Sequence, residues 1–300
     1  MDISPGQYTS TIYGAIRDEK YVEAIEILQY ELQQNFSSNR AALSLLGYCY
    51  YKLGDFVSAT AAYEQLVAIC PEVEEYKLYY AQSLYKSGSY PEATRAAIRV
   101  DGEQYQQRIL LLQSMIKYEL DELPASKSLL DQCHNDDPDV AINYAAIAFK
   151  EGKYESARKQ YAEALSTLGY QPSINYNIAL CYYFEKQYGF ALRYVSEIIE
   201  KGIRYHPELS VGGNSDGIEA RSVGNSAILK ETCLIEAFNL KAAIEYQLRA
   251  TEPAKTGNDS DAAKEALSDM PPRSEAELDP VTLHNQVTHI TSTLTSVSMY

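Results

Sequence analysis

The sequence has no tryptophan and only four histidines, and its 26 basic residues are outnumbered by 41 acidic ones, for a formal charge of −15. A chain this acidic repels polyanions, so nucleic acid and anionic membrane surfaces are poor main partners. None of the four histidines, His134, His206, His284 and His289, has a second ligand at helical i, i+4 spacing, so no zinc site is expected. Cysteine is sparse too. Cys49, Cys70, Cys133, Cys181 and Cys233 form no CxxC and are odd in number, which predicts reduced thiols in a cytosolic-type compartment. There is no run of apolar residues long enough to cross a bilayer, no secretory leader, no myristoylation glycine after Met1 and no prenylation cysteine before Tyr300. These absences predict a soluble intracellular chain without membrane insertion.

Nor is there a catalytic or cofactor-binding pattern. The stretch Gly212-Gly213-Asn214-Ser215-Asp216-Gly217 follows no strand and opens no helix, so it is neither a P-loop nor a dinucleotide fingerprint. Counted from Gly212, the twelfth position is Val223 where a calcium loop needs Glu. No GxSxG occurs, and the carboxylates are scattered over solvated positions. The expectation is no enzyme, no cofactor and no metal.

What is abundant is tyrosine, 27 in all, against six phenylalanines. Tyrosine fills space between helices while its hydroxyl stays wet or bonded, which suits a fold with much half-buried surface. The tyrosines fall in a repeating frame. Leu46-Gly47, Tyr50, Gly54, Phe56, Ala59, Tyr63 and Pro71 place a small residue where two helices cross, then a turn glycine, a second small residue and a closing proline. The second small residue recurs at Ala24, Ala59, Ala93, Ser126, Ala157 and Ala191, at intervals of 35, 34, 33, 31 and 34. Three positions before each stands an apolar residue: Tyr21, Phe56, Tyr90, Leu123, Tyr154 and Tyr188. Three turns carry glycine, Gly54, Gly88 and Gly152, which supplies the left-handed conformation that ends a helix without a Cβ clash. A period near 34 residues with this pattern is that of the tetratricopeptide repeat. The predicted fold is all-α, a right-handed superhelical solenoid of antiparallel helix pairs in which stacked neighbours bury what one pair cannot.

The frame divides the chain. Six helix pairs are expected over 8–202. A long, polar inter-repeat loop follows over 203–226, rich in turn residues and too polar to pack. A seventh pair spans 227–285, with an insertion of about eight residues near 250–260 that moves its small residue to Ala263. Met270-Pro271-Pro272 ends that pair. The Ser/Thr-rich tail, 286–300, is expected to fray.

In this repeat, positions 2, 5, 9, 12 and 13 of the first helix face the concave groove. Position 12 reads Tyr51, Tyr85, Tyr118, Phe149 and Tyr183, with Tyr48 at a position 9 and Phe184 at a position 13. Such a ladder of rings suits an extended, proline-containing peptide, since aromatic faces pack on proline rings and a pre-extended ligand loses little entropy on docking. Position 9 otherwise reads Gln82, Met115, Ala146 and Leu180; without Asn there, a clamp for a chaperone's C-terminal carboxylate is disfavoured. A general repeat adaptor, chaperone cofactors included, is the other reading of these residues.

Beyond the generic frame, several strings resemble one family. These are Leu45-Leu46-Gly47-Tyr48-Cys49-Tyr50-Tyr51, Glu197-Ile198-Ile199-Glu200-Lys201-Gly202-Ile203-Arg204, His206-Pro207-Glu208-Leu209 and Arg221-Ser222-Val223-Gly224-Asn225. Further along come Glu236-Ala237-Phe238-Asn239-Leu240-Lys241-Ala242-Ala243-Ile244-Glu245-Tyr246, Asp269-Met270-Pro271-Pro272-Arg273 and Glu277-Leu278-Asp279-Pro280-Val281-Thr282-Leu283-His284-Asn285. Over about residues 8–285 the chain resembles the N-terminal half of the tetratricopeptide repeat protein 30 (fleer) family. The resemblance implies a scaffold subunit of intraflagellar transport complex B, found in the cytoplasm and the cilium, that wraps a proline-rich segment of an intraflagellar transport protein 52 homologue. It also implies contact with other complex B subunits and with kinesin-2, and a part in anterograde transport, cilium assembly and polyglutamylation of axonemal tubulin.

Overall fold

The computed structural model describes residues 7–34, 39–134, 136–212, 221–251 and 262–287, and among these there are helices and turns but no strand. The fold is an all-α tetratricopeptide-repeat solenoid. The chain forms two compact units, 1–140 and 141–300.

In the first unit, α1 (Tyr8–Arg17) pairs with α2 (Tyr21–Gln34), α3 (Arg40–Leu53) with α4 (Phe56–Ile69), α5 (Glu74–Lys86) with α6 (Tyr90–Ile98), and α7 (Gln106–Glu119) with α8 (Leu123–Leu130). α9 (Pro138–Lys150) begins in this unit and lies mostly in the second. There it is followed by α10 (Tyr154–Leu168), by the pair α11 (Pro172–Phe184) and α12 (Tyr188–Tyr205), by the short α13 (Ala227–Glu231), and by α14 (Leu234–Thr251) packed on α15 (Ala262–Ser268). A last helical stretch covers 280–287.

The small residues explain the pairing. Ala24, Ala59, Ala93, Ala157 and Ala191 have no exposed surface and Ser126 only 1%. In five of the six pairs the first helix carries a small residue at the matching position, Gly47, Ala81, Ser114, Ala145 and Ala179, while the first pair has Ile12 there. An added Cβ on Gly47 would lie 2.8 Å from the Tyr63 ring, so only glycine fits there with that ring in place. In the fourth pair the crossing is polar: Ser114 Oγ and Ser126 Oγ are 2.9 Å apart, and each hydroxyl reaches the other residue's carbonyl, at 3.1 and 2.8 Å. Both serines are thereby satisfied inside the core, as buried hydroxyls must be.

Every second helix starts on the aromatic or leucine three residues before its small position. The turn before it is the same in all six pairs. Gly54, Gly88 and Gly152 have φ of 87°, 80° and 78°, and the equivalent Glu19, Asp121 and Lys186 adopt 57°, 64° and 58° without being glycine. The next N–H then reaches back five residues, as in Lys20 to Ala15 (2.8 Å), Asp55 to Tyr50 (3.0 Å) and Gln187 to Tyr182 (2.9 Å). This is the Schellman closure, which satisfies carbonyls left open at a helix end.

Past α12 the structure departs from the sequence expectation. α12 continues to Tyr205, and the segment after it is packed rather than wholly solvated. Leu209 is 2% exposed, and Val211 and Val223 pack with Leu229, Leu234, Phe238 and Met270. The physical reason is a polar weave that sequence spacing does not announce. Gly212 N–H bonds Asp269 C=O at 2.8 Å, Val223 N–H bonds Pro272 C=O at 2.9 Å, and the Ser222 hydroxyl donates to Glu277 at 2.6 Å. Arg273 sits at its centre with only 3% of its side chain exposed, reaching Asp279 at 3.1 Å, Thr282 at 3.3 Å and the Glu277 carbonyl at 3.3 Å. The small residues buried in α14 are Ala237 and Ala242, and Ala263 in α15 is 8% exposed. The middle of the expected loop (213–220), residues 252–260 of the insertion expected near 250–260 and the tail beyond 287 lie outside the described residues, while 250 and 251 continue α14.

Candidate functional site

In the first unit, α3 and α5 enclose a hollow of about 360 Å³. Ser44, Tyr48, Tyr51 and Lys52 line it from α3, Tyr79 and Gln82 from α5, and Tyr63 from α4. Four of these are groove positions of the repeat: 5, 9, 12 and 13 of one helix. Tyr48 is 39% exposed, while Tyr51 is half-buried because its ring packs edge-on against Phe56, with centroids 5.3 Å apart. Burial raises the Tyr51 phenol above its ordinary value and pushes Tyr79 up to about 12, the Tyr79 hydroxyl donating to Glu75 at 2.5 Å. These phenols stay neutral donors across the physiological range.

Tyr85 repeats the arrangement on Tyr90, with centroids 6.0 Å apart, and its phenol is pushed up to about 12 by burial and then by the Glu119 carboxylate. Tyr118 is half-buried in the fourth pair, where the second helix starts with Leu123. In the second unit Phe149 packs on Tyr154 (5.4 Å) and Tyr183 on Tyr188 (5.8 Å). Phe184, 49% exposed, stacks on Tyr154 at 5.3 Å and meets Phe149 edge-on at 5.4 Å, which makes one continuous cluster of five rings.

Four of the five position-12 rings therefore brace their own hairpins: Tyr51, Tyr85, Phe149 and Tyr183 each pack on the first ring of the second helix, while in the fourth pair, that of Tyr118, the second helix starts with Leu123 instead. Sequence reasoning identified the rings but not the braces. The signal was present, because in every pair where both residues are aromatic they stand five apart across the left-handed turn. It also missed Tyr79 and Lys52 in the hollow, and a separate stack in the second unit of Phe190, Tyr182 and Tyr194, with Arg158 over Tyr182 at 4.4 Å.

Among the described residues no three His, Cys, Asp or Glu side chains are grouped to hold a metal ion, and no helix is long and apolar enough to cross a membrane. The five cysteines are unpaired, and burial pushes the Cys49 and Cys181 thiols up to about 11 and about 12, which keeps them protonated and unreactive.

The family model described as intraflagellar transport protein 56 matches residues 43–219, more than half of the chain. The chain belongs to that family. Curated relatives carry the name intraflagellar transport protein 70: the 70A protein of Xenopus tropicalis is 56% identical over 95% of the chain, that of Danio rerio 52%, and human 70B 50%. The chain spans 42–43% of the length of these relatives. Among solved structures, a tetratricopeptide repeat protein from Parabacteroides merdae aligns with a TM-score of 0.57 at 12% identity, covering 87% of this chain and 96% of that one. The pilus biogenesis factor PilW aligns at 0.52 and 14% identity, covering 64% and 90%. Such low identities speak for the fold alone.

Proposed function

We propose that the chain is a non-catalytic scaffold of intraflagellar transport complex B that holds an extended, proline-rich segment of an intraflagellar transport protein 52 homologue against its aromatic groove faces. The observation that carries this reading is that Tyr48 and Phe184 stay open at groove positions beside rings already engaged in bracing the hairpins. Rigid rings with one free face offer apolar contact at low entropic cost, and proline rings match them. On this reading the protein works in the cilium and in the cytoplasm that feeds it, alongside other complex B subunits and kinesin-2, supporting anterograde transport, cilium assembly and, downstream, tubulin polyglutamylation.

The test is co-purification with the proline-rich segment, followed by titration. Tyr48→Ala and Phe184→Ala together are expected to weaken binding about tenfold, the loss of two aromatic contacts at about 0.7 kcal/mol each. Tyr51, Tyr85 and Tyr183 are better changed to Phe, since Ala would also unbrace a hairpin. Unaltered affinity in the double variant, with helicity intact, refutes the ring-stacking reading.

A further inference from the structure

The groove face of the first unit carries cations that nothing neutralises. Lys52 Nζ lies 5.9 Å from the Tyr48 ring centroid, Lys86 Nζ 5.7 Å from that of Tyr85, and the Arg108 guanidinium 6.0 Å from that of Tyr79. Lys52 and Lys86 occupy position 13 of consecutive pairs, and Arg108 position 2 of the next; all three are exposed. The other cations of these helices are differently placed: Lys77 pairs with Glu74 at 2.6 Å, Lys117 with Glu122 at 2.7 Å, and Arg40 donates to the Tyr76 hydroxyl at 2.8 Å. Among the described residues no carboxylate pairs with Lys52, Lys86 or Arg108, although the chain has 15 more acidic than basic residues.

Nearby acids are otherwise engaged, Glu75 accepting from the Tyr79 hydroxyl and Glu119 lying against Tyr85. The hollow itself has no carboxylate in its lining, and Lys52 is its one charge. At close to 6 Å, each cation–ring contact is at the outer limit of useful attraction, so the ammonium or guanidinium stays free to take an anion while its stem still covers the ring.

We infer that the segment held by the first unit carries carboxylates interleaved with its apolar residues, read by Lys52, Lys86 and Arg108. This rests on the groove reading above and adds to it the charge pattern of the partner. Lys52 and Lys86 repeat at position 13 while Arg108, at position 2, sits roughly 16 Å along the helix axis from that level, so the three cations call for carboxylates spread along the segment rather than for a single one. Complementary charge of this kind sets register and selects among partners more than it adds affinity.

The experiment compares three synthetic peptides, repeats of Pro-Ala-Glu, Pro-Ala-Gln and Pro-Ala-Lys, against the full chain by fluorescence anisotropy. The Glu peptide is expected to bind about tenfold tighter than the Gln peptide, the summed effect of three exposed ion pairs, with the Lys peptide weakest. The preference should vanish between about 0.1 and 1 M salt, where the screening length shrinks to about 3 Å. Lys52→Gln with Lys86→Gln and Arg108→Gln should erase it while leaving the Gln peptide's affinity unchanged, and the three changed to Glu should favour the Lys peptide. Equal binding of the Glu and Gln peptides overturns the charge inference and leaves the groove reading standing. If no peptide binds, both fall. Self-association of the chain that the Glu peptide fails to displace would assign this face to a second copy and overturn the inference as well.

Discussion

The left-handed turns allow a quantitative test of how the repeat is closed. Glu19 and Lys186 adopt φ of 57° and 58° in turns where Gly54, Gly88 and Gly152 do the same job. An L-residue in this region costs roughly 1–2 kcal/mol relative to the right-handed one, while glycine returns about 0.5–1 kcal/mol of that through its larger unfolded-state entropy. Glu19→Gly and Lys186→Gly should therefore each stabilise the fold by about 0.5–1 kcal/mol, and the effects should add, since the two sites share no partners. The mirror change, Gly54→Ala, should destabilise by a similar amount. Urea melts followed by circular dichroism give the midpoints, and an unchanged slope shows that the unfolded state has not shifted. Because repeat arrays can unfold in parts, hydrogen exchange supplies the local reading. The Lys20 and Gln187 amides, which close the two turns onto Ala15 and Tyr182, should gain up to about fivefold protection. Gln65→Gly, at an exposed position well inside α4, is the control and should lose about 0.5–1 kcal/mol. If the two turn variants lower the midpoint as that control does, the turn conformation is not strained by its side chain and the argument is wrong.

The tightest contact in the second unit is at Gly202, where an added Cβ would lie 2.6 Å from Leu234 Cδ2; Gly202→Ala should cost about 1–3 kcal/mol, and pairing it with Leu234→Ala should not add the two costs, as a double-mutant cycle in thermal melts will show. Ser114→Ala or Ser126→Ala alone should cost about 1 kcal/mol, whereas both together convert the crossing to the alanine form of other pairs and should be nearly neutral in the same melts. Arg273→Lys replaces a buried fork with a point charge and should cost about 2–3 kcal/mol, read as faster proteolysis of the 221–225 and 269–285 segments. At Asp279 burial pushes the carboxyl up, but the Thr282 hydroxyl and N–H and the Arg273 guanidinium together hold it below its ordinary value. A depressed native pKa gives stability that is present above about pH 4 and lost as pH falls through the native value, so the Val223 amide, bonded to Pro272, should lose its bonded chemical shift only below about pH 4.

What was legible in the sequence is what local geometry forces. A helix crossing admits only a small residue, so Ala24 through Ala191 betray the frame from their spacing alone, and each second helix begins at the residue that spacing implies. The left-handed turn was legible only where glycine fills it. Glu19, Asp121 and Lys186 take the same conformation because five-residue closure and the packed pair impose it, which outweighs the intrinsic cost at those positions. Composition misled in the segment after α12. Its turn residues suggested solvated loop, yet Leu209, Val211 and Val223 are enough apolar area to anchor it once Arg273 and Glu277 satisfy the surrounding polar groups.

The same distinction explains why the groove was half legible. Position 12 rings repeat with the frame, so a periodic reading finds Tyr51, Tyr85, Tyr118, Phe149 and Tyr183 together. Periodicity does not say which face of a ring is already covered. Packing assigns that: Phe56, Tyr90, Tyr154 and Tyr188 each cover part of the ring across their turn, and the more open rings are Tyr48 and Phe184, which lie outside the position-12 series. On the groove reading proposed above, hairpin closure and partner contact fall to the same rings, so a variant that truncates a position-12 ring is expected to change stability and binding at once. Substitutions at Tyr48, Lys52, Lys86 and Arg108 then separate the two best, whereas Phe184 also stacks on Tyr154 and Phe149, the rings that brace the fifth hairpin.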